Sequence, residues 1–587
     1  MFSDELLNAL HALCMPARHL QQLSVIRLLR LTLVPHIATS LSTSQSLSTA
    51  APRSPSAMPP QSEEPIPKSA PILVFSGGTA FNSVAPALHS LTSCVTHVLP
   101  ISDNGGSSRE ISRVIGGPAI GDVRSRLTRL VPKRWKSGGG VARLLNHRLT
   151  GTSPKEAEAE FQSILGGSHE IWGDAVTANA AEESVLAITE VDKQTLLAFM
   201  RHFQLEVQRC SRDDKSTDKS FDYRHGSLGN FVFSGARVFF GSLPTAVHWF
   251  SRLAGIPLDS RVLPIADVGS ITLAATLLDG SVILGQDAIS HPHQAASASV
   301  ADGSADSRAS SGAATAFEEA TYETTLVDKA SSGQEPLPSP VVDLFYVRAE
   351  ESSTSPSFDR VALAASPELL ELLAHASCIC YAHGSLLTSI VPLLVVKGLK
   401  DAIAKHRGRK VLILNGHHDR ETSHADYETV DGDSTTKRSC VHRLTASEVV
   451  WTIVNAIRSA DGADDVQGGK GDKKPLYSPT HGTSQTASIE IRNFVTDVLC
   501  VEGSAFATES ELTQLRDDLG LKVHILPAAS TPPAPPNARS APADMLSKSN
   551  RGGGEMVQCR YEATALAEAL FSFASEKGNG DPNCLRL

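Results

Sequence analysis

Short apolar runs that each end in a polar, glycine-bearing loop and then pass into a helical pattern set the tightest limit on the fold. ILVF (72–75) leads into SGGTAFN and then NSVAPALHSL, where Val84, Leu88 and Leu91 recur at helical spacing. THVLPI (96–101) leads into SDNGGSSR and the helical stretch SSREISRVIG, and CICYAHG and KVLILNG repeat the pattern further along. Strands that alternate with helices imply a parallel sheet covered on both faces, with binding residues at the carboxyl ends of the strands. The expected fold is therefore α/β, a Rossmann-like three-layer parallel sheet with disordered insertions.

Composition marks off what need not fold. HPHQAASASVADGSADSRASSGAATA has almost nothing to bury, and the stretches around 461–486 and 529–555 are rich in Gly, Pro, Ser, Asp and Lys. The expected organisation is a disordered or targeting tail over 1–70, a first nucleotide-binding part over 71–290 and a disordered insertion over 291–339. A second part follows over 340–527 with a low-complexity insertion at 461–486, then another insertion at 528–556, and a C-terminal helix and tail over 557–587. In the first 70 residues no acid occurs between Glu5 and Glu63, while Arg18, Arg27 and Arg30 do. That pattern is shared by a mitochondrial transit peptide and by a plain disordered tail behind a short amphipathic helix. The expected location is cytoplasmic, with mitochondrial as the alternative.

The formal net charge of -10 argues against a general nucleic-acid binder, which gains affinity from clustered Lys and Arg. No apolar stretch is long enough for a bilayer, since SIVPLLVVKGL contains Pro392 and Lys397. The nine cysteines are dispersed, and Cys378 and Cys380 would share one face of a strand, which indicates neither a disulfide nor a zinc site. Neither nucleic acid nor membrane is expected as a partner; a second copy of the chain or a protein partner stays open.

The loops carry the chemistry. Gly77 and Gly78 permit close backbone approach, and Thr79 or Asn82 can cap the helix that follows, so SGGTAFN presents free N–H groups and a positive helix end to a phosphate. SDNGGSSRE adds the carboxylate of Asp103 and the amide of Asn104 before Gly105 and Gly106, with Ser107 and Ser108 able to cap a helix or bind phosphate oxygen. GGPAIGDVRSRL places Asp122 at an N-cap and offers Arg124 for a bidentate phosphate contact. Each loop alone also reads as a tight turn, a capped helix or a structural Asp–Arg pair. Three of them within 60 residues weaken that joint reading.

In this order and spacing, SGGTAFNSVAPAL, SDNGGSSRE and GGPAIGDVRSRL resemble the opening motifs of the CofD-like superfamily, which contains 2-phospho-L-lactate transferase and the YvcK-type gluconeogenesis factors. HGSLGNFVFSGA (225–236), RVLPIADVGSITLAATLLDGSVILGQDAIS (261–290), YAHGSLLTSIVPLLVVKGLKDAI and KVLILNGHHDRET extend the likeness. Its middle section looks closer to the YvcK-type branch.

The resemblance implies a nucleoside diphosphate or nucleotide sugar held by these loops. In the transferase branch a phospholactyl group passes from a guanosine diphosphate ester to a deazaflavin hydroxyl with Mg²⁺; in the other branch a nucleotide sugar binds with no reaction implied. Carried over, Gly77, Gly78, Thr79 and Asn82 would sit against phosphate, with Gly105, Gly106, Ser107, Ser108, Asp122 and Arg124. Asn230 would line the nucleotide pocket, and Gly384, Ser385 and Thr388 would border it. Asp103 and Asn104 are the catalytic candidates, and Asp103 is the candidate Mg²⁺ ligand. The sequence departs from the family at Ser76 and Ala80, where glycines are usual, at Asn104, where a second aspartate is usual, and at Arg109 and His383. Two readings follow: a 2-phospho-L-lactate transferase-like enzyme acting on a nucleotide-activated donor, or a non-catalytic nucleotide-sugar-binding regulator of carbon metabolism.

GHHDRETSHAD (416–426) gathers His417, His418, Asp419, Glu421 and His424. The spacing suits a role near the substrate better than a zinc site. No G-x-S-x-G elbow stands at a strand-to-helix turn. The aromatic residues of FVF and VFFGSL have core-like helical spacing, and RHFQLEVQRCSRDDKSTDK reads as a solvated connector.

Overall fold

The apolar runs are strands: every residue of ILVF (β1, Ile72–Phe75), VTHVL (β2, Val95–Leu99) and CICY is buried, as a strand sandwiched between helical layers requires. The computed structural model describes residues 70–102, 105–132, 138–173, 188–213, 220–290, 335–348, 359–429, 437–460, 474–479, 484–529 and 560–576. The expected tail and most of the expected insertions fall outside the described residues, and so do Asp103 and Asn104.

The remaining strands are β3 (Arg261–Pro264), β4 (Thr272–Leu277), β5 (Val282–Leu284), β6 (Val341–Arg348), β7 (Asp359–Val361), β8 (Cys378–Tyr381), β9 (Arg409–Ile413), β10 (Ser423–Thr429), β11 (Lys437–Arg443), β12 (Asp497–Val501) and β13 (Lys522–Leu526). Seven of them form one sheet in the order β13-β12-β9-β8-β1-β2-β3, and every pairing in it is parallel. Phe75 of β1 stands opposite Val98 on one side and Tyr381 on the other. The chain therefore runs outward from β1 to β3 and returns to β8 on the far side of β1. Strand order reverses between β1 and β8, and the crevice that such a reversal leaves at the carboxyl ends of the strands is the usual ligand position in these sheets. A smaller antiparallel sheet, β5-β4-β6-β7, and the hairpin β10–β11 complete the strands.

Several helices begin where the sequence supplies caps, but the expected caps of the site loops are absent: Gly121–Arg129 starts after Ile120 with Asp122 inside its first turn, and Ser107–Val114 starts after Gly106, neither with a side-chain cap. Ser153 with Glu156 and Thr445 with Glu448 form complete capping boxes, and Ser227 caps the helix Leu228–Phe240, which stops at Gly241 with φ 71°. Phe231 and Phe233 on that helix are fully buried, with the Phe231 ring stacked on Phe203 at 4.5 Å. Phe239 departs from the core-like spacing: it is 54% exposed. Part of the expected insertion at 461–486 also packs. Leu476 is buried and donates its N–H to Val341 at 2.7 Å, while Asn455 Nδ2 donates to the carbonyls of Leu476 and Ser478. An apolar anchor of two residues, Leu476 and the partly buried Tyr477 beside it, is too short to register against the polar composition around it. No helix among the described residues is long and apolar enough to cross a membrane.

Candidate functional site

The loop after β1 is held from behind. Ser76 still donates to Val98 across the sheet at 3.1 Å, and beyond it the two glycine carbonyls turn inward. Arg126 Nη2 donates to the Gly77 carbonyl at 3.0 Å, and Asn82 Nδ2 donates to the Gly78 carbonyl. In a trans peptide the C=O of one residue and the N–H of the next point to opposite sides, and no peptide bond described here is cis. The N–H groups of Gly78 and Thr79 consequently face away from Arg126 and Asn82, and no acceptor among the described residues receives either. Thr79 is exposed and its side chain makes no cap.

Side chains are excluded from this loop by protein. A Cβ on Gly78 would lie 2.6 Å from Cα of Asp122, and one on Gly77 would lie 2.6 Å from Ser389 Oγ. The glycines let the first turn of the helix Gly121–Arg129 approach from one side and the β8 loop approach from the other. Asp122 thus stands beside Gly78.

Arg126, which the sequence reading passed over, is the hub. Its side chain is 0% exposed and also donates to Asn82 Oδ1 at 2.8 Å, Ser76 Oγ at 3.2 Å and His97 Nδ1 at 2.7 Å. A signal was present: Val123, Arg126, Leu127 and Leu130 share one helical face, and Val123, Leu127 and Leu130 are buried with it.

The expected residues of the second and third loops meet, but they bind one another. Asn230 Nδ2 donates to Ser107 Oγ at 3.0 Å and Ser108 Oγ at 3.3 Å, and its Oδ1 accepts from Arg124 Nε at 3.2 Å. Arg124 also donates to Asn146 Oδ1 at 3.2 Å. Arg124, Ser107, Ser108 and Asn230 are all buried, so they lock the starts of the helices Ser107–Val114 and Leu228–Phe240 together. Gly105 accepts the Ser108 N–H at 3.2 Å, and Gly106, at φ 52° and ψ -133°, takes a conformation that only glycine adopts readily.

On the β8 side, Gly384 has φ 143°, and Asn415 clamps it by accepting its N–H and donating to its carbonyl, both at 2.9 Å. Ser385 lies half-buried at the turn. Thr388 does not face the crevice freely: its hydroxyl donates to Glu421 Oε1 at 2.6 Å, and its N–H donates to Oε2 at 3.0 Å. Leu387 N–H and Ser290 Oγ also donate to this carboxylate, at 2.7 and 2.6 Å. Glu421 is the residue of the GHHDRET loop that reaches this turn. Burial, together with the neighbouring Asp419 charge, raises its pKa. Asp419 itself caps the short helix Arg420–Thr422 by accepting the Thr422 N–H, and His418 packs on Phe506 at 4.5 Å. Among the described residues no three His, Cys, Asp or Glu side chains converge as a metal cage. A divalent cation here would have to be held by one or two carboxylates and the ligand's own phosphates.

The family model described as 2-phospho-L-lactate transferase CofD matches residues 72–325 and 331–459. Over 380 residues the chain is 30% identical to an uncharacterized protein of Saccharomyces cerevisiae, an alignment covering 60% of this chain and 79% of that one. It is 21% identical over 345 residues to a Thermotoga maritima protein named "Putative gluconeogenesis factor", covering 59% of this chain and 67% of the other. A crystal structure of a UPF0052-family protein of Bacillus halodurans matches at TM-score 0.44 and 17% identity, over 86% of this chain and 99% of that chain. The family match takes in β1 to β11 and every loop around the crevice, and on it the chain belongs to the CofD family.

Proposed function

We propose that the chain binds the diphosphate of a nucleotide-activated donor in the crevice between the β1 and β8 loops and transfers a phosphorylated group from that donor to an acceptor hydroxyl: the hydroxyl oxygen bonds to the distal phosphorus as the bond from that phosphorus to the bridging oxygen breaks, so a nucleoside monophosphate leaves and the hydroxyl proton passes to solvent. The observation that carries this reading is the pair of outward N–H groups at Gly78 and Thr79, on peptide planes whose carbonyls, those of Gly77 and Gly78, are pinned inward by Arg126 and Asn82. Two fixed donors backed by a buried cation suit an anion that gains charge as a bond breaks, because they need no reorganisation during the reaction. Asp103 and Asn104 belong to the segment that joins β2 to the helix Ser107–Val114. There Asp103 would hold Mg²⁺ against the diphosphate, which offsets the charge of the leaving group, and Asn104 would orient the acceptor hydroxyl. The amide at 104 is a weaker metal ligand than a carboxylate, and this favours the second reading, a nucleotide-sugar-binding regulator that passes its occupancy to a protein partner.

The test is a thermal-shift screen of the full chain against nucleoside diphosphates and nucleotide sugars with and without Mg²⁺, followed by product assays with the ligands that bind. A ligand that binds only the folded state raises the melting temperature in step with its concentration over Kd. Binding with Mg²⁺-dependent product supports the transferase. Tight binding without product leaves the regulator, and no shift with any nucleotide in a folded sample removes both.

A further inference from the structure

Arg126 carries a charge that its hydrogen bonds do not require. Its four acceptors, Asn82 Oδ1, His97 Nδ1, Ser76 Oγ and the Gly77 carbonyl, are all uncharged. No carboxylate among the described residues forms an ion pair with it; Asp122 acts on it through space, opposing the burial that lowers its pKa. A guanidinium stays protonated at neutral pH even so. Burying a cation without a contacting counter-charge is costly unless something compensates it.

The residues behind Arg126 supply no negative charge either. Because Arg126 donates to His97 Nδ1, the proton of neutral His97 sits on Nε2, which donates to His89 Nε2 at 2.9 Å. His89 then donates from Nδ1 to Ser260 Oγ at 3.2 Å, and Ser260 donates to the Ser93 carbonyl at 2.8 Å. Every donor in this chain points away from the arginine. Burial, and then the Arg126 charge, keep both histidines neutral, with His89 pushed down to about 4. The hydrogen-bonded chain behind Arg126 is thus neutral, and on the loop side the arginine charge meets, among the described residues, only the Asp122 carboxylate beside Gly78 and the N–H groups that the loop presents.

We propose that Arg126 is the charge-selecting residue of the crevice: a positioning residue that holds the Gly77 carbonyl inward and supplies the positive potential to which a diphosphate, and not an uncharged nucleoside, responds. This rests on the diphosphate reading above. It goes beyond that reading by assigning the preference to a side chain that need not touch the ligand.

The experiment compares full-length parent, Arg126→Gln, Arg126→Lys and Ser76→Asp by calorimetric titration with inorganic pyrophosphate, UDP, GDP and the corresponding nucleosides, with melting curves on each. Ser76→Asp sets a carboxylate against Arg126 Nη2 and neutralises the arginine while leaving the Asn82 contact to the Gly78 carbonyl, so it decides the matter if Arg126→Gln does not fold. The expected result is a loss of about 10- to 100-fold in diphosphate and pyrophosphate affinity for Arg126→Gln and Ser76→Asp, with nucleoside binding within about threefold of parent and partial recovery in Arg126→Lys. Diphosphate affinity within about threefold of parent in the folded neutralised variants would overturn the proposal. So would an equal loss for nucleoside and diphosphate, which marks a merely structural arginine. A parent that binds pyrophosphate but no nucleotide would sink the nucleotide reading, and the pyrophosphate series would still decide the role of Arg126. A parent that binds neither would sink both.

Discussion

The loops after β1 and β8 meet at the carboxyl edge of the sheet, with Ser389 against Gly77, and manage their backbone donors in opposite ways. After β1, the N–H groups of Gly78 and Thr79 have no protein acceptor among the described residues, and the group behind them is the buried cation Arg126. After β8, the N–H groups of Leu387 and Thr388 are taken by the carboxylate of Glu421, which also accepts from two hydroxyls. Both are strand-to-helix turns of the kind that binds anions, yet one already holds an anion that belongs to the protein. A shared local chemistry therefore does not make two equal sites. What separates them is which distant side chain arrives behind or in front of the turn.

The largest expected effect comes from removing the internal anion. Glu421→Ala leaves two buried N–H groups and two hydroxyls without their acceptor, and the folded state should lose about 3 kcal/mol, read as a lower urea midpoint. Millimolar acetate or formate should restore part of that loss if the turn is a true anion cradle. An unchanged midpoint would erase the contrast between the two loops.

Titration tests the contrast with smaller steps. Behind the β1 loop, His89 and His97 are held below the usual histidine range by burial. Their unfolded forms take up protons near pH 6.5 while the folded forms do not, so stability falls as pH drops below 6.5, by about 1 kcal/mol per pH unit for each histidine. On the β8 side the pKa values of Glu421 and Asp419 are raised by burial. Their folded forms keep protons longer than the unfolded chain does, so their contribution falls as pH rises above the ordinary carboxylate range. Urea midpoints of parent and His89→Gln between pH 7 and 5 should diverge, with the variant showing the shallower acid loss. Parallel profiles would place the histidine chain outside the titration.

Thr79→Ala carries the smallest effect. The side chain is exposed and caps nothing, so stability should stay within about 0.5 kcal/mol, and nucleotide affinity should change by no more than about threefold if the backbone N–H is the donor. A large loss of binding would move the contact from backbone to hydroxyl.

Much of the fold was legible because burial on both faces leaves a local trace. ILVF, THVLPI, CICY and KVLILN each announce a central strand. The glycine loops were legible as places of close approach. What approaches them was not: Gly78 makes room for Asp122 and Gly77 for Ser389. Four candidates, Ser107, Ser108, Arg124 and Asn230, share one network, yet their polar groups are engaged with each other.

The sequence by itself determined the layered α/β architecture and the position of the loops at the strand ends, because periodicity and turn chemistry act over a few residues. Only the tertiary structure decided which loop could serve a ligand. Arg126 reaches Gly77 across 49 residues of chain, and Glu421 reaches Thr388 across 33. Pairings at that range depend on strand order and on how closely helices pack, so no local pattern of residues can encode them.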